Sequence, residues 1–201
     1  MTNAELPRLG HNEGPPLDPM QSWRRHCWKA AKKALFRPLP LEVVRRRVAR
    51  AARLGLAYRR YELLVLGGGE IEAMLFADDT LVVTAPYASP AAGLDAAIAR
   101  KLAAVIGCRR LLLAGPDGPE PVWTWRPDAA ALFETAIRVP SRRLLAAPPA
   151  KADRLALGAG LRGRALPAGS VALVGNGAHG PTWVAGGRLA GFVPASEYFG
   201  A

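Results

Sequence analysis

The sequence predicts a mixed fold, α+β or α/β. A basic helical N-terminal part leads to a small βαβ-like unit, and a less regular C-terminal part ends in a short β-hairpin. Three observations predict it. Residues 22–66 repeat apolar positions at helical spacing between arginines. Residues 67–115 change to apolar runs that read strand, helix, strand. Residues 171–194 break into short apolar runs separated by glycines, the pattern of strands joined by tight turns.

The chain has 201 residues and is 50% apolar, enough to bury a sizeable core. Residues 1–21 hold Pro7, Pro15, Pro16 and Pro19 with little that packs, and read as a disordered tail. The expected division is this tail, then 22–115, then 116–201. The first residues lack the basic start and apolar core of a signal peptide. No apolar run approaches the roughly 18–20 residues of a membrane span. Cys27 and Cys108 form no disulfide framework. A cytoplasmic location is expected.

The formal net charge is +11, and its distribution says more than its size. Residues 22–60 carry thirteen basic residues against one acid, Glu42; the rest of the chain is close to balanced. A compositional bias toward arginine would scatter it evenly and would not remove acids from one segment.

The first helix is expected to start at Ser22, an N-cap residue, and to run to the break at Pro38. Trp23, Cys27, Ala31 and Leu35 form its apolar stripe, and Arg24, Arg25, Lys29, Lys32 and Lys33 cover much of the remainder. A second helix is expected over 41–54. Its buried stripe reads Leu41, Val44, Val48 and Ala51 or Ala52, with Arg45, Arg46, Arg47, Arg50 and Arg53 outward. Gly55 is a natural end for it. "AYRRYELLVL" gives a short third helix with Tyr58, Tyr61, Leu64 and Val65 inward. The second and third helices are loosely helix-turn-helix-like, which would place Tyr58, Arg59 and Arg60 where base and phosphate contacts occur.

"GHNEGPPLDP", "WRRHCWKAAKKAL" and "LPLEVVRRRV" resemble the start of an uncharacterised group of small bacterial proteins. The resemblance reaches to about residue 110 and implies no activity.

"EIEAMLFA" reads as a strand, "LVVTA" as a second, residues 90–106 as an amphipathic helix and "RRLLLAG" as a buried strand. "VWTW" is an expected edge strand and "PDAAALFETAIR" an expected helix with Pro127 in its first turn. Residues 144–169 give no clear assignment. "SVALV", "PTWVA" and "RLAGFVP" read as strands, with Gly186-Gly187 as the hairpin turn.

Gly175-Asn176-Gly177-Ala178-His179-Gly180 matches G-x-G-x-x-G, the phosphate-cradling pattern of dinucleotide sites. Such a site needs a helix and then a parallel strand after the glycines. "PTWVAGG" favours a strand and a turn, so a hairpin loop is expected and no cofactor. His11, His26, His179, Cys27 and Cys108 lack metal-ligand spacing, so no metal is expected there. Asp78 and Asp79 close the strand "EIEAMLFA" at its carboxyl end. They read as turn residues, with a metal-dependent nuclease as the enzymatic alternative.

The basic segment carries the functional expectation. Like charges at i,i+4 repel by a few tenths of a kcal/mol, and solvated helices relieve this by interleaving acids. Arg45, Arg46, Arg47 and Arg50 accept the repulsion. Nucleic-acid phosphates would offset it, and arginine suits bidentate phosphate contacts. The expected binding set is Arg24, Arg25, Lys29, Lys32, Lys33, Arg45, Arg46, Arg47, Arg50, Arg53, Arg59 and Arg60. An acidic protein partner or an anionic membrane surface is the other expectation for the same charges.

Overall fold

The computed structural model describes residues 23–28, 30, 39–66, 69–78, 96–116 and 132–200. The chain divides into two compact units, Met1–Val43 and Val44–Ala201. In the first, residues 23–28 are helical, with the Trp23 ring stacked on His26.

Helix α1, Leu41–Arg53, lies mostly in the second unit, and α2, Tyr58–Val65, follows it after a short turn. Gly55 makes that turn with φ +68°, a left-handed conformation that glycine adopts freely. Both helices stand where the periodicity places them. The buried stripe of α1 does not. Ala51 is buried, but Leu41 is 62% and Val48 46% exposed. Arg47 and Arg50 are half-buried in their place. The helix is rotated because Arg50 reaches inward: its Nη2 donates to Ile71 O at 2.9 Å.

The remaining elements build one parallel sheet. Strand β1 is Ala73–Ala77, α3 Ala96–Ala103, β2 Arg109–Ala114 and β3 Thr135–Arg138. Helix α4, Lys151–Arg162, leads to β4, Val171–Gly175; α5, Gly180–Gly187, to β5, Gly191–Pro194; and α6 is Ala195–Phe199. The strand order is β3-β2-β1-β4-β5, and every neighbouring pair is parallel. The mixed fold class expected from the sequence is therefore present, as a five-stranded α/β sheet. Strands from both sides of residue 116 share it.

Parallel strands are covered on both faces, which is why "AMLFA" and "VALVG" are apolar at every position and buried throughout. Met74, Phe76, Leu112, Val174 and Val193 meet Ala51, Leu54, Tyr61, Leu64, Leu102 and Tyr198, so α1, α2, α3 and α6 form one layer. Leu75, Leu111, Leu113, Ile137 and Leu173 meet Leu157, Leu161 and Trp183, so α4 and α5 form the other.

Four expectations are corrected. The end of the chain is not a hairpin: β4 and β5 run parallel, Leu173 beside Phe192, with α5 crossing between them. "PTWVA" is helical because Pro181 starts the helix and Trp183 docks in the core, its Nε1 donating to Ala147 O at 2.8 Å. Gly186 and Gly187 are not a turn; a Cβ on Gly187 would stand 2.8 Å from Leu157 Cδ2, so small residues let α5 press on α4. Residues 135–138 are strand, not helix. The expected strands at 81–85 and 122–125 lie outside the described residues.

Candidate nucleic-acid interface

The expected site residues separate into those that serve the fold and those that face outward. Arg50 serves the fold. Besides its bond to Ile71 O, its Nε lies 3.1 Å from Glu70 Oε1, so it ties α1 to the amino end of β1. Arg60 is engaged as well. Its Nε donates to Glu197 Oε1 at 2.7 Å and its Nη2 to Glu197 Oε2, a two-pronged pair between α2 and α6. The Glu197 carboxylate holds the Arg60 pKa above its ordinary value.

Arg45, Arg46 and Arg53 on α1 and Arg59 on α2 are exposed, and Arg47 is half-buried. Arg46, Arg53 and Arg59 make no ion pair with a described residue. Arg24 and Arg25 are exposed on the helical stretch 23–28. Lys29, Lys32 and Lys33 lie outside the described residues.

The turn between α1 and α2 has the expected helix-turn-helix spacing. The second helix is nevertheless part of the layer over the sheet. It buries Tyr61 and Leu64, and burial raises the Tyr61 pKa. Its outer side presents Arg59, Leu63 and Leu66.

The glycine-rich loop stands in the strand–turn–helix–parallel strand context that a hairpin would have denied it. The loop also lies beside the point where the sheet changes direction. After β1 the chain crosses on the α3 side; after the adjacent β4 it crosses on the α5 side. In doubly wound sheets ligands bind in the crevice at such a point. Here the chain itself takes the room the glycines leave. A Cβ on Gly175 would overlap Leu145 Cδ1, and a Cβ on Gly177 would overlap the Leu145 backbone. The Leu145 carbonyl accepts from His179 N at 2.9 Å, at the start of α5. The glycines are there for close packing.

Asp78 ends β1 at this edge, and its Oδ2 accepts from Gly115 N at 3.2 Å, linking the carboxyl ends of β1 and β2. Asp79 lies outside the described residues. Among the described residues no group of three His, Cys, Asp or Glu side chains is placed to hold a metal ion. No described helix is long and apolar enough to cross a membrane.

Fold and surface together define a three-layer, doubly wound α/β unit with an arginine-rich helix pair on one face. Comparison with protein-family models, with curated proteins and with solved structures gives no match.

Proposed function

We propose that this protein binds nucleic acid through phosphate contacts made by the arginines of α1 and of the first turn of α2. One observation carries the proposal: thirteen basic residues against a single acid over residues 22–60, with Arg46, Arg53 and Arg59 exposed and in no ion pair with a described residue. An exposed helix face gains little from unrelieved like charge, and a polyanion relieves it by releasing counterions. Arg50 and Arg60 are removed from the contact set, because each is spent inside the protein. Arg46 and Arg53, seven residues apart, lie on one face of α1, while Arg47 is half-buried on its inward side.

Fluorescence anisotropy with a generic DNA duplex and a generic single-stranded RNA tests the proposal. Three phosphate contacts, by Arg46, Arg53 and Arg59, give a salt slope of about −2.7 on duplex DNA, hence roughly a 40-fold loss of affinity between about 50 and 200 mM salt. Replacing Arg46 and Arg53 by Glu is expected to remove most of the affinity and leave the melting curve unchanged. No affinity at low salt, or the same affinity in Arg46→Glu/Arg53→Glu, rejects the reading.

A further inference from the structure

Outside residues 22–60 the charges balance in sum but not along the chain. Residues 138–188 carry eight basic residues against one acid, Asp153. That acid presents almost nothing to solvent. It is 2% exposed, and its Oδ1 and Oδ2 accept from Ser141 N and Ala150 N, both at 2.8 Å. Arg138, Arg142 and Arg164 are engaged within the protein. Lys151, Arg154, Arg162 and Arg188 are exposed and in no ion pair with a described residue.

The fold gathers these four where α4 meets α5. A Cβ on Gly186 would stand 2.9 Å from Arg154 Cδ, so the stem of Arg154 lies against the last turn of α5. Arg188 caps that turn and directly follows Gly187, which presses on Leu157 of α4. A Cβ on Gly158 would stand 3.3 Å from Arg162 Nη1, so the Arg162 guanidinium folds back toward the middle of α4. Lys151 stands three residues before Arg154, a neighbour on the helix surface. Lys151 and Arg154 occupy the first turn of α4, where the helix dipole disfavours a cation and favours an approaching anion. Leu155 is the one large exposed apolar side chain on α4 and α5, so the pair has no apolar face to lay into a membrane surface. The phosphates of a duplex fit the charge.

We infer that Lys151, Arg154, Arg162 and Arg188 form a second phosphate-binding surface, and that one protein molecule holds two DNA duplexes, one on each side of its sheet. α4 and α5 lie across the sheet from α1 and α2. The inference rests on the nucleic-acid reading above for its first duplex. The α1–α2 surface has the larger excess of basic residues and is the tighter one. The second duplex therefore binds in a later and weaker step.

The experiment mixes donor-labelled and acceptor-labelled DNA duplexes with the full chain, at half the total duplex concentration and about 50 mM salt. Energy transfer reads two duplexes on one protein, anisotropy reads binding of the first, and each variant has a melting curve. Transfer is expected with the wild type. It is expected to be lost in Arg154→Gln/Arg188→Gly, with the first binding step unchanged and the salt slope of the second lowered by about one per cation removed. Glycine suits residue 188, whose φ is +55°, so the second substitution removes a charge without straining the backbone. Arg154→Lys/Arg188→Lys, which keeps both charges, is expected to retain transfer. A wild type that binds neither duplex at low salt rejects the nucleic-acid reading itself. A wild type that binds one duplex without transfer overturns this inference alone. So does transfer that persists in Arg154→Gln/Arg188→Gly, which would mean that protein self-association joins the duplexes. Equal loss of transfer in the neutral and the lysine variants overturns it too, because the effect would then not follow charge.

Discussion

Leu145 fills the space that Gly175 leaves empty at the carboxyl end of strand β4, which lies between β1 and β5. Its side chain is fully buried, and its backbone sits at φ +55°, a conformation that costs a bulky residue about 1 kcal/mol or more. The fold accepts that cost to seat the side chain among Leu144, Trp183 and Leu173. Gly175→Ala and Gly177→Ala are therefore expected to lose about 1–3 kcal/mol each, by forcing Leu145 out of place. Gly169→Ala is the control, since nothing lies within 4 Å of a Cβ there and its φ is ordinary. It should be neutral or slightly stabilising. Urea midpoints decide the matter, and an unchanged midpoint for Gly175→Ala removes the packing account.

Local signals were legible in the sequence, and long-range ones were not. Gly55 and the apolar period marked the ends of α1 and α2, and the fully apolar runs marked β1 and β4, because a strand covered on both faces leaves no polar position; β2 was legible from its buried run Leu111–Ala114, behind half-buried Arg109 and Arg110. β3 was missed because Phe133 and Ile137 stand four residues apart, which imitates one helix face. In the fold they belong to opposite faces of the sheet, Phe133 with Phe76 and Ile137 with Leu157. What makes the segment a strand is pairing with β2, Leu113 beside Ile137. The α5 helix was hidden in the same way. Thr182, Trp183 and Val184 prefer strands, and Gly186-Gly187 reads as a turn until α4 is packed against it. At the candidate interface the arginines of α1 were legible. The internal roles of Arg50 and Arg60 were not, since Ile71, Glu70 and Glu197 are distant in the chain.

Arg50 and Arg46 lie on the same helix and are expected to fail differently. Arg50→Gln gives up the bond to Ile71 O and the pairing with Glu70, and should lower stability by about 1–3 kcal/mol. Arg46→Gln should change stability by less than about 0.5 kcal/mol and weaken nucleic-acid binding. Denaturant curves and anisotropy on the same two variants check both halves. Equal stability losses would mean that Arg50 anchors nothing.

Glu197 restrains a cation of the proposed surface. Its carboxylate neutralises Arg60 through two hydrogen bonds, and the pair is partly exposed. An exposed pair contributes at most about 1 kcal/mol to stability, so Glu197→Gln should fold normally. The variant releases one positive charge beside Arg59. Its affinity for duplex DNA is expected to rise severalfold, with a salt slope steeper by up to about one. An affinity equal to or below that of the wild type would show that Arg60 lies off the binding surface.

Cys108 gives the fold a sensitivity to alkali with a defined window. Burial pushes its thiol up to about 11 from an ordinary 9.0, more than the nearby Arg50 lowers it. The folded protein therefore keeps the proton at pH values where the unfolded chain releases it. The resulting stabilisation is complete below about pH 9 and is lost as pH rises to about 11, about 2–3 kcal/mol in all. Tyr61 and Tyr198 are also raised by burial, but from an ordinary 10.0, so their losses begin one unit higher. Cys108→Ala should flatten the stability profile between pH 9 and 10 and leave the steeper fall above it. Chemical denaturation measured across that range reads the difference directly. A thiol reagent at pH 8 gives an independent check, because exposed Cys27 should react at once and half-buried Cys108 more slowly, its rate rising when denaturant is added.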